Sequence, residues 1–470
     1  MIDLGINLFQ EIAALGGGGG GYSITNSLRF NDDDSAYLSR TPSVSGNRKT
    51  WTWSGWVKRG NLSSSQFFFG ANSGATADGG LIFTASDTLG LTLGGNVYNK
   101  YTTAVLRDVS GWYHIVAVLD TDNATAANRI KLYVNGLEQT AYTTQNSGLP
   151  PSGYTPNYLN NANNHNIGKL SGYAQDYFDG YMAEINFIDG QALTPNSFGQ
   201  IDAATGEWSP KAYAGTYGTN GFYLPFDGNA NDFSGNSNNW TENNLASTDY
   251  MIDTPTNSFA VLNPLASGGV TFQEGNLEAT LSTTDPRSTI TTMPVSSGKW
   301  YAEVYYNSHT NDSLLPGVVT DSYSPISGTT RAHTVSSGGG SVAYFLRDGT
   351  KRIDGVASSY GSSATTGDII GIALNLDDDE ITFYKNNVSQ GTITTKAFSG
   401  GYNFFLSNGT SDGNQVATLN QGADSSFAGN KTRQGNTDAN GKGDFYYAPP
   451  AGYLALCTEN TGGDPIADIT

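Results

Sequence analysis

The stretch of this sequence closest to hydrolytic chemistry is Glu184-Ile185-Asn186-Phe187-Ile188-Asp189. Retaining glycoside hydrolysis needs two carboxyls about 5 Å apart, one on each side of the scissile bond. Side chains alternate along an extended strand, so Glu184 and Asn186 share one face and Asp189 falls on the other. One carboxylate beside an amide does not make an acid pair, and we expect no catalytic turnover from this strand. Nucleophilic chemistry fares no better. The histidines are His114, His165, His309 and His333. His114 keeps the alternating phase of Trp112 and Val116 and reads as a structural residue. His165 falls in an Asn-rich loop, and His309 in a polar turn beyond a strand. None shows the i, i+4 spacing of a helical zinc site. The single cysteine, Cys457 beside Leu456, reads as a small buried hydrophobe with no internal disulfide partner.

Oxygen-rich ligands are better represented. Asp227, Asn229, Asn231, Asp232 and Asn236 lie in one ten-residue string with turn glycines, and calcium accepts carboxylate, amide and carbonyl oxygens. The string lacks the closing Glu of an EF-hand, and the same residue types also build turns without any ion. Asn31-Asp32-Asp33-Asp34 is a second acidic turn. Tyr154, Tyr158 and Tyr173, in the long loop before Phe178, are candidates for stacking on a sugar or sealing a contact with a neighbouring subunit.

These groups must be positioned by a chain of 470 residues, of which 14% are charged and 12% aromatic, with 27 Tyr and 59 Gly. Such a composition excludes coiled coils and bundles, and the aromatic content excludes wholesale disorder. The period is two from Tyr22 onward. Trp51, Trp53, Gly55 and Val57 alternate with Thr52, Ser54 and Trp56. Both faces of the strand around Trp112–Leu119 read as covered. Ile130, Leu132 and Val134 form an inward set that ends at Asn135-Gly136, a tight-hairpin signal. Tyr181, Ala183, Ile185 and Phe187 read as one face. Trp300–Tyr306, Ile370–Leu376 and Ile381–Phe383 continue the pattern, and Gly367–Asn387 repeats the logic of Trp112–Gly136. The expected fold is all-β: two jelly-roll sandwiches in series.

Residues 1–21 stand apart. Leu4, Leu8, Ile12 and Leu15 share one face of a short helix, and six consecutive glycines follow. We read an anchor helix on a tether (1–21), a first sandwich (22–237), a partly ordered connector (238–263), a second sandwich (264–430) and a C-terminal extension (431–470). The glycine run lacks the Lys-Ser/Thr of a phosphate loop. The net charge of −19 disfavours nucleic acid. No apolar run reaches the roughly 20 residues that span a bilayer, and the start Met1-Ile2-Asp3-Leu4 lacks the basic region of a signal peptide, so folding in a cytoplasm is expected.

Some of these strings also resemble known families. Trp51–Lys58 (WTWSGWVK), Gly111–Asp120 (GWYHIVAVLD), Lys131–Gly136 (KLYVNG) and Phe178–Ile188 (FDGYMAEINFI) resemble laminin-G-like domains of the concanavalin A superfamily. Gly298–Val304 (GKWYAEV), Gly367–Leu376 (GDIIGIALNL) and Ile381–Asn386 (ITFYKN) resemble a SPRY domain. The glycosidases of that superfamily carry Glu-x-Asp-x-x-Glu, from which Glu184–Asp189 departs at its second and third acids. Ser27–Thr41, Phe222–Trp240, Asp253–Leu265 and Ala448–Cys457 resemble segments of virion proteins of marine tailed bacteriophages, usually described as tail fibres or related structural components.

That resemblance implies a structural, adhesive virion protein assembled in the host cytoplasm. Its N-terminal anchor would grip other virion proteins, and its lectin-like lobes would meet a host-surface glycan or receptor. Fibres of this kind are often trimers, so a homo-oligomer is implied, though no heptad stalk is present. A head-decorating or capsid-fibre protein and a glycan depolymerase are the alternatives. Calcium is the one cofactor the sequence suggests.

Overall fold

The computed structural model describes residues 21–467, apart from 73–77, 144–147, 171–175, 204, 284–286, 311–312, 326–329 and 410–412. The anchor residues Leu4, Leu8, Ile12 and Leu15, and Tyr173, lie outside the described residues. The fold is nearly all β: two sandwiches, each of two antiparallel sheets. Among the described residues, no helix is long and apolar enough to cross a membrane.

In the first lobe, one sheet centres on the strands Tyr113–Asp120, Thr50–Arg59, Gly180–Asp189 and Ser27–Phe30, in that order. The other centres on Thr88–Leu93, Asp78–Phe83, Gln66–Asn72, His165–Ile167 and Tyr37–Arg40. Alternation sends Trp51, Trp53, Tyr113, Ile115, Ala117, Leu119, Ile130, Leu132 and Val134 into the space between them. Leu28, Phe69, Leu81, Leu89 and Leu91 fill the same core. The second lobe repeats the plan. Trp300, Ala302, Val304, Tyr306, Ile370, Ile372, Leu374, Ile381 and Phe383 meet Val318, Val342, Tyr344, Phe404 and Leu406 in one core.

Both hairpin signals take the expected turn. Asn135 and Gly136 have φ of 49° and 78°, and Asn386 and Asn387 have 48° and 65°. Two positive φ values in succession match the right-handed twist of the flanking strands. At Gly136 a Cβ would lie 2.6 Å from the Trp208 ring, so the turn needs glycine for packing as well.

Four expectations are corrected. The stretch 238–263 is no connector: Thr241–Asn243 and Tyr250–Met251 add strands to the two first-lobe sheets, and Trp240 and Tyr250 lie in its core. Strands of two or three residues are too short to show a period in sequence. His165 is not in a loop but in a strand paired on both sides. His309 ends the strand Lys299–His309 rather than following it. Finally, Tyr181, Ala183, Ile185 and Phe187 do not share a face. Glu184 and Ile185 together oppose Gly55, because the pairing shifts between Ala183↔Trp56 and Asn186↔Ser54. This bulge sends Tyr181 and Ala183 outward and Ile185 and Phe187 inward.

The C-terminal stretch is a strap between the lobes rather than an appendage. Outward residues of the first lobe (Trp56, Trp112, Tyr181) and of the second (Tyr301, Ala373) are joined by Phe259, Val261, Phe445, Ala455 and Cys457 in one buried cluster. Trp300 bridges to Leu454, and Trp112 bridges to Ile466. Glu303, fully buried, fixes the strap by accepting backbone N–H bonds from Tyr446 at 2.8 Å and Tyr447 at 2.7 Å.

Charge ties the same interface. Arg29 of the first lobe, 1% exposed, reaches Asp249 at 2.9 Å, Glu274 at 3.1 Å and Asp424 at 3.0 Å. Glu274 and Asp424 belong to the second lobe, so one guanidinium fork satisfies carboxylates from both.

Candidate functional site

Glu184 occupies the bulge with a φ of 52°, in the left-handed region that few non-glycine residues adopt. Bulges re-aim side chains and recur beside functional sites. Here the bulge puts Glu184 on the outer face of its sheet, 6% exposed. Its carboxylate accepts the phenol O–H of Tyr22 at 2.5 Å and of Tyr223 at 2.8 Å. Both are charge-assisted bonds. Burial pushes the Glu184 carboxyl above the usual carboxylate range, and the two phenols oppose that shift. The phenols themselves are pushed up by burial and then by the neighbouring carboxylate.

Asn186 stands on the same face, as alternation predicted. Its amide oxygen accepts the Tyr217 O–H at 2.8 Å, and its nitrogen donates to the Glu184 carbonyl at 3.1 Å. From there aromatic rings continue in a ladder. Tyr217 stacks on Tyr223 at 6.5 Å between centroids, meets Tyr213 edge-on at 5.1 Å, and Tyr213 stacks on Phe198 at 5.1 Å. Tyr22, Tyr213, Tyr217 and Tyr223 are half-buried. The sequence pointed to Glu184 and Asn186 but missed the tyrosines. They come from an N-terminal segment, from the loop carrying Tyr213 and Tyr217, and from the strand Phe222–Leu224, and only the folded sheet gathers them.

Asp189 lies on the opposite side, as expected. Its oxygens accept Asn47 N–H at 2.7 Å, the Asn160 amide at 2.6 Å and Asn220 N–H at 3.0 Å, which ties three loops together. Glu184 and Asp189 therefore do not flank a common bond.

His114 is fully structural. Its Nδ1 accepts the Trp208 indole N–H at 2.9 Å, which leaves Nε2–H to donate to Ser54 Oγ at 2.9 Å. Burial holds its pKa down to about 3, so the ring is neutral. His165 is pushed to about 4, chiefly by burial, and His333 to about 3 for the same reason.

The 227–236 string does not fit a calcium ion. Asp232 Oδ1 accepts N–H bonds from Tyr223 at 2.9 Å and Ser234 at 2.8 Å. Its Oδ2 accepts Ser234 O–H at 2.9 Å and Asn238 N–H at 2.8 Å. A carboxylate has about four lone-pair sites, and four donors occupy them. Asn229 Oδ1 accepts Asn231 N–H at 2.9 Å, and the Asn236 amide donates to Gly218 and Gly221 carbonyls at 2.7 and 3.0 Å. Asp227 contributes its backbone carbonyl to the Asn229 amide at 2.9 Å. These residues build a turn in which the Asp232 and Asn229 side-chain oxygens are taken by donors of the chain itself. Among the described residues, no three His, Cys, Asp or Glu side chains gather as a metal site.

Of the tyrosines before Phe178, Tyr158 is 8% exposed and belongs to the first core, so it offers no stacking surface. Tyr154 remains half-exposed and packs edge-on against Tyr98 at 4.8 Å.

Comparison with known proteins agrees with this architecture. Residues 31–197 match the laminin-G family described as the concanavalin A-like lectin/glucanases superfamily, and residues 299–422 match the SPRY domain. No curated protein matches the chain. Among solved structures, the SPRY domain of human HERC1 is 16% identical with a TM-score of 0.28, covering 34% of this chain and 96% of that one. The TRIM65 PSpry domain is 14% identical with a TM-score of 0.28, covering 34% and 88%. Stonustoxin is 19% identical with a TM-score of 0.28, covering 34% of this chain and 27% of its own. The chain thus carries a concanavalin A-like laminin-G domain followed in series by a SPRY domain.

Proposed function

We propose that this protein is a structural attachment component of a virion, of the tail-fibre kind, which holds a host-surface glycan on the tyrosine platform around Glu184. The observation that carries the binding half of this reading is the platform itself. Half-exposed rings present apolar faces to a sugar's C–H groups, while the phenol oxygens, whose protons are held by Glu184 and Asn186, accept hydrogen bonds at the edges. Glu184, with both oxygens already bonded to phenols, orients the rings and is not poised as an acid. The reading of the protein as non-enzymatic rests on that commitment and on the separation of Glu184 from Asp189. The virion half rests on the resemblance of the segments 27–41, 222–240, 253–265 and 448–457. Three of them supply residues that lock the lobes together: Arg29, Asp253 and Cys457.

Two measurements test it. Antibody labelling of intact particles under the electron microscope should place the chain on the tail, and labelling of the capsid alone would replace the tail role with head decoration. Saccharide binding to the purified chain should fall at least tenfold in Tyr217→Ala. Undiminished binding would remove the platform, and glycan hydrolysis lost in Glu184→Gln would make the protein a depolymerase.

A further inference from the structure

The strand Val356–Ser359 ends a seven-stranded sheet of the second lobe, and all four of its residues are exposed. Val356 is 69% exposed, more than any other large hydrophobe among the described residues. Sheet edges are ordinarily shielded by charge, proline, a bulge or a covering segment, because their free N–H and C=O groups invite another strand. The other edges of this lobe carry such shields. Leu262–Gly268 contains Pro264 and a shift in register. Val388–Ile393 pairs through a shift, and Tyr360 O–H and Ser362 N–H cross it to bond the Gly391 carbonyl and the Gln390 side chain. At Val270–Gln273 the Gln273 amide is bonded to Asp33 of the first lobe. Val356–Ser359 has no charge, no proline and an unbroken register with Thr350–Ile353.

The hairpin before it specifies which backbone groups are free. Asp354 and Gly355, with φ of 52° and 81°, form a two-residue turn between Ile353 and Val356. Such a turn is flanked by a hydrogen-bonded pair, and bonded pairs alternate with unbonded ones along an antiparallel ladder. The Asp354 N–H donates to the Ser341 carbonyl at 2.9 Å, on the inner side, which fixes the same phase. Val356 and Ser358 therefore bond to Ile353 and Lys351, and the backbone groups of Ala357 and Ser359 point away from the sheet.

We propose that this strand pairs antiparallel with the same strand of a second copy of the chain, about a twofold axis through Ser358. That register joins the outward groups of Ala357 in each copy to those of Ser359 in the other, two hydrogen bonds to each pair. The contact is isologous, so one patch complements itself. Val356 falls opposite the second copy's Tyr360, on the face where Tyr360 packs against the second core, and a β-branched side chain meets an aromatic ring. Charge permits the approach. The chain carries a net −19, yet this strand is neutral, and Asp354 beside it is held by Lys396 at 2.7 Å. Lys351 and its copy would stand three strand spacings apart, about 14 Å, which exceeds a Debye length of about 8 Å. A strand from another protein would take the backbone bonds without the symmetric Val356–Tyr360 contacts. The interface is independent of the platform at Glu184 and of the virion reading.

The test is sedimentation equilibrium on the full chain. So short an edge belongs to the small, dissociable class of interfaces, below about 1,200 Å², so the dimer fraction should rise with concentration. Ser358→Lys sets like charges face to face across the axis. It should weaken dimerisation at least tenfold and leave the melting temperature of the dilute chain unchanged. Mixing Ser358→Lys with Ser358→Glu should restore the dimer. Under mild oxidation Ser358→Cys should cross-link two copies, because an unbonded antiparallel pair brings its Cα atoms to about 4.5 Å, within disulfide range. Ala357→Cys, offset from its own copy, should cross-link at least tenfold more slowly. Cys457 is buried and stays out of that reaction. A monomer at every concentration up to about 1 mM, a trimer, a dimer indifferent to Ser358→Lys, or equal cross-linking at both positions would each overturn the proposal. If Ser358→Lys does not fold, the cysteine comparison decides it.

Discussion

Lys58 and Asp253 form an ion pair at 2.7 Å with neither side chain exposed. The ammonium also donates to Ser258 Oγ at 3.0 Å and to the Phe259 carbonyl at 2.9 Å, and Asp253 accepts the Trp112 indole N–H at 3.0 Å. Every donor and acceptor around the pair is thus matched, which is what makes such burial tolerable. The pair nails the segment after Met251 to the outer face of the first lobe. Removing one partner strands the other charge, so Lys58→Met and Asp253→Leu should each cost about 3–5 kcal/mol in urea unfolding. The double variant should recover part of that loss. If it is as unstable as the sum of the two, the charges do not interact as described.

The lobes should melt together. Arg29 spans them with three carboxylates, and the cluster around Trp56, Trp112, Tyr181 and Tyr301 is buried. Calorimetry should show one transition. A fragment of residues 22–252 alone would expose Trp56, Trp112 and Tyr181, and it should bind a hydrophobic dye and self-associate. Two separated transitions and a well-behaved fragment would contradict the shared interface.

Glu303 gives the strap a pH dependence. Burial raises its carboxyl from 4.5 to about 7, against the pull of the Tyr447 and Tyr446 N–H groups. A folded pKa above the unfolded one means that the native state binds the proton more tightly. The resulting stability is full below pH 4.5 and is lost as pH rises through about 7. Wild type should therefore gain on Glu303→Gln by about 3 kcal/mol as pH falls across that window, with the difference flat on either side. Melting temperatures of the two proteins from pH 4 to 8 check this, and a constant difference would refute it.

Calcium should do nothing to the fold. Because Asp232 already holds four donors, a chelator and added calcium should both leave the melting temperature unchanged. Asp232→Ala should cost about 1–3 kcal/mol by leaving those donors unmatched. A stabilising shift with calcium that vanishes in Asp232→Ala would restore the metal reading.

How much of this was legible beforehand depended on range. Period-two runs placed Trp51, Trp53, Trp300 and Ile370 correctly because each lies on a long strand whose core-facing residues recur at every second position. Asn135-Gly136 and Asn386-Asn387 were legible because backbone angle restricts residue type locally. The bulge at Glu184 was not, since no glycine or proline marks it and its partner is Gly55. Nor were the short strands at Thr241 and Tyr250, whose reason for existing lies in the core they cap. The platform tyrosines and the Arg29 hub join residues hundreds of positions apart, and no local pattern announces such meetings.

The strap has a kinetic corollary. Ala467 lies in the first lobe's core; its N–H bonds to the Trp112 carbonyl at 2.9 Å, and its carbonyl accepts the Asn135 amide at 2.9 Å. During translation the first lobe is made early, yet it waits for the whole second lobe to be synthesised before this piece arrives. The nascent chain must spend that interval with a sticky, unfinished face, so ribosome-bound truncations ending before residue 454 should engage chaperones that the released protein no longer needs.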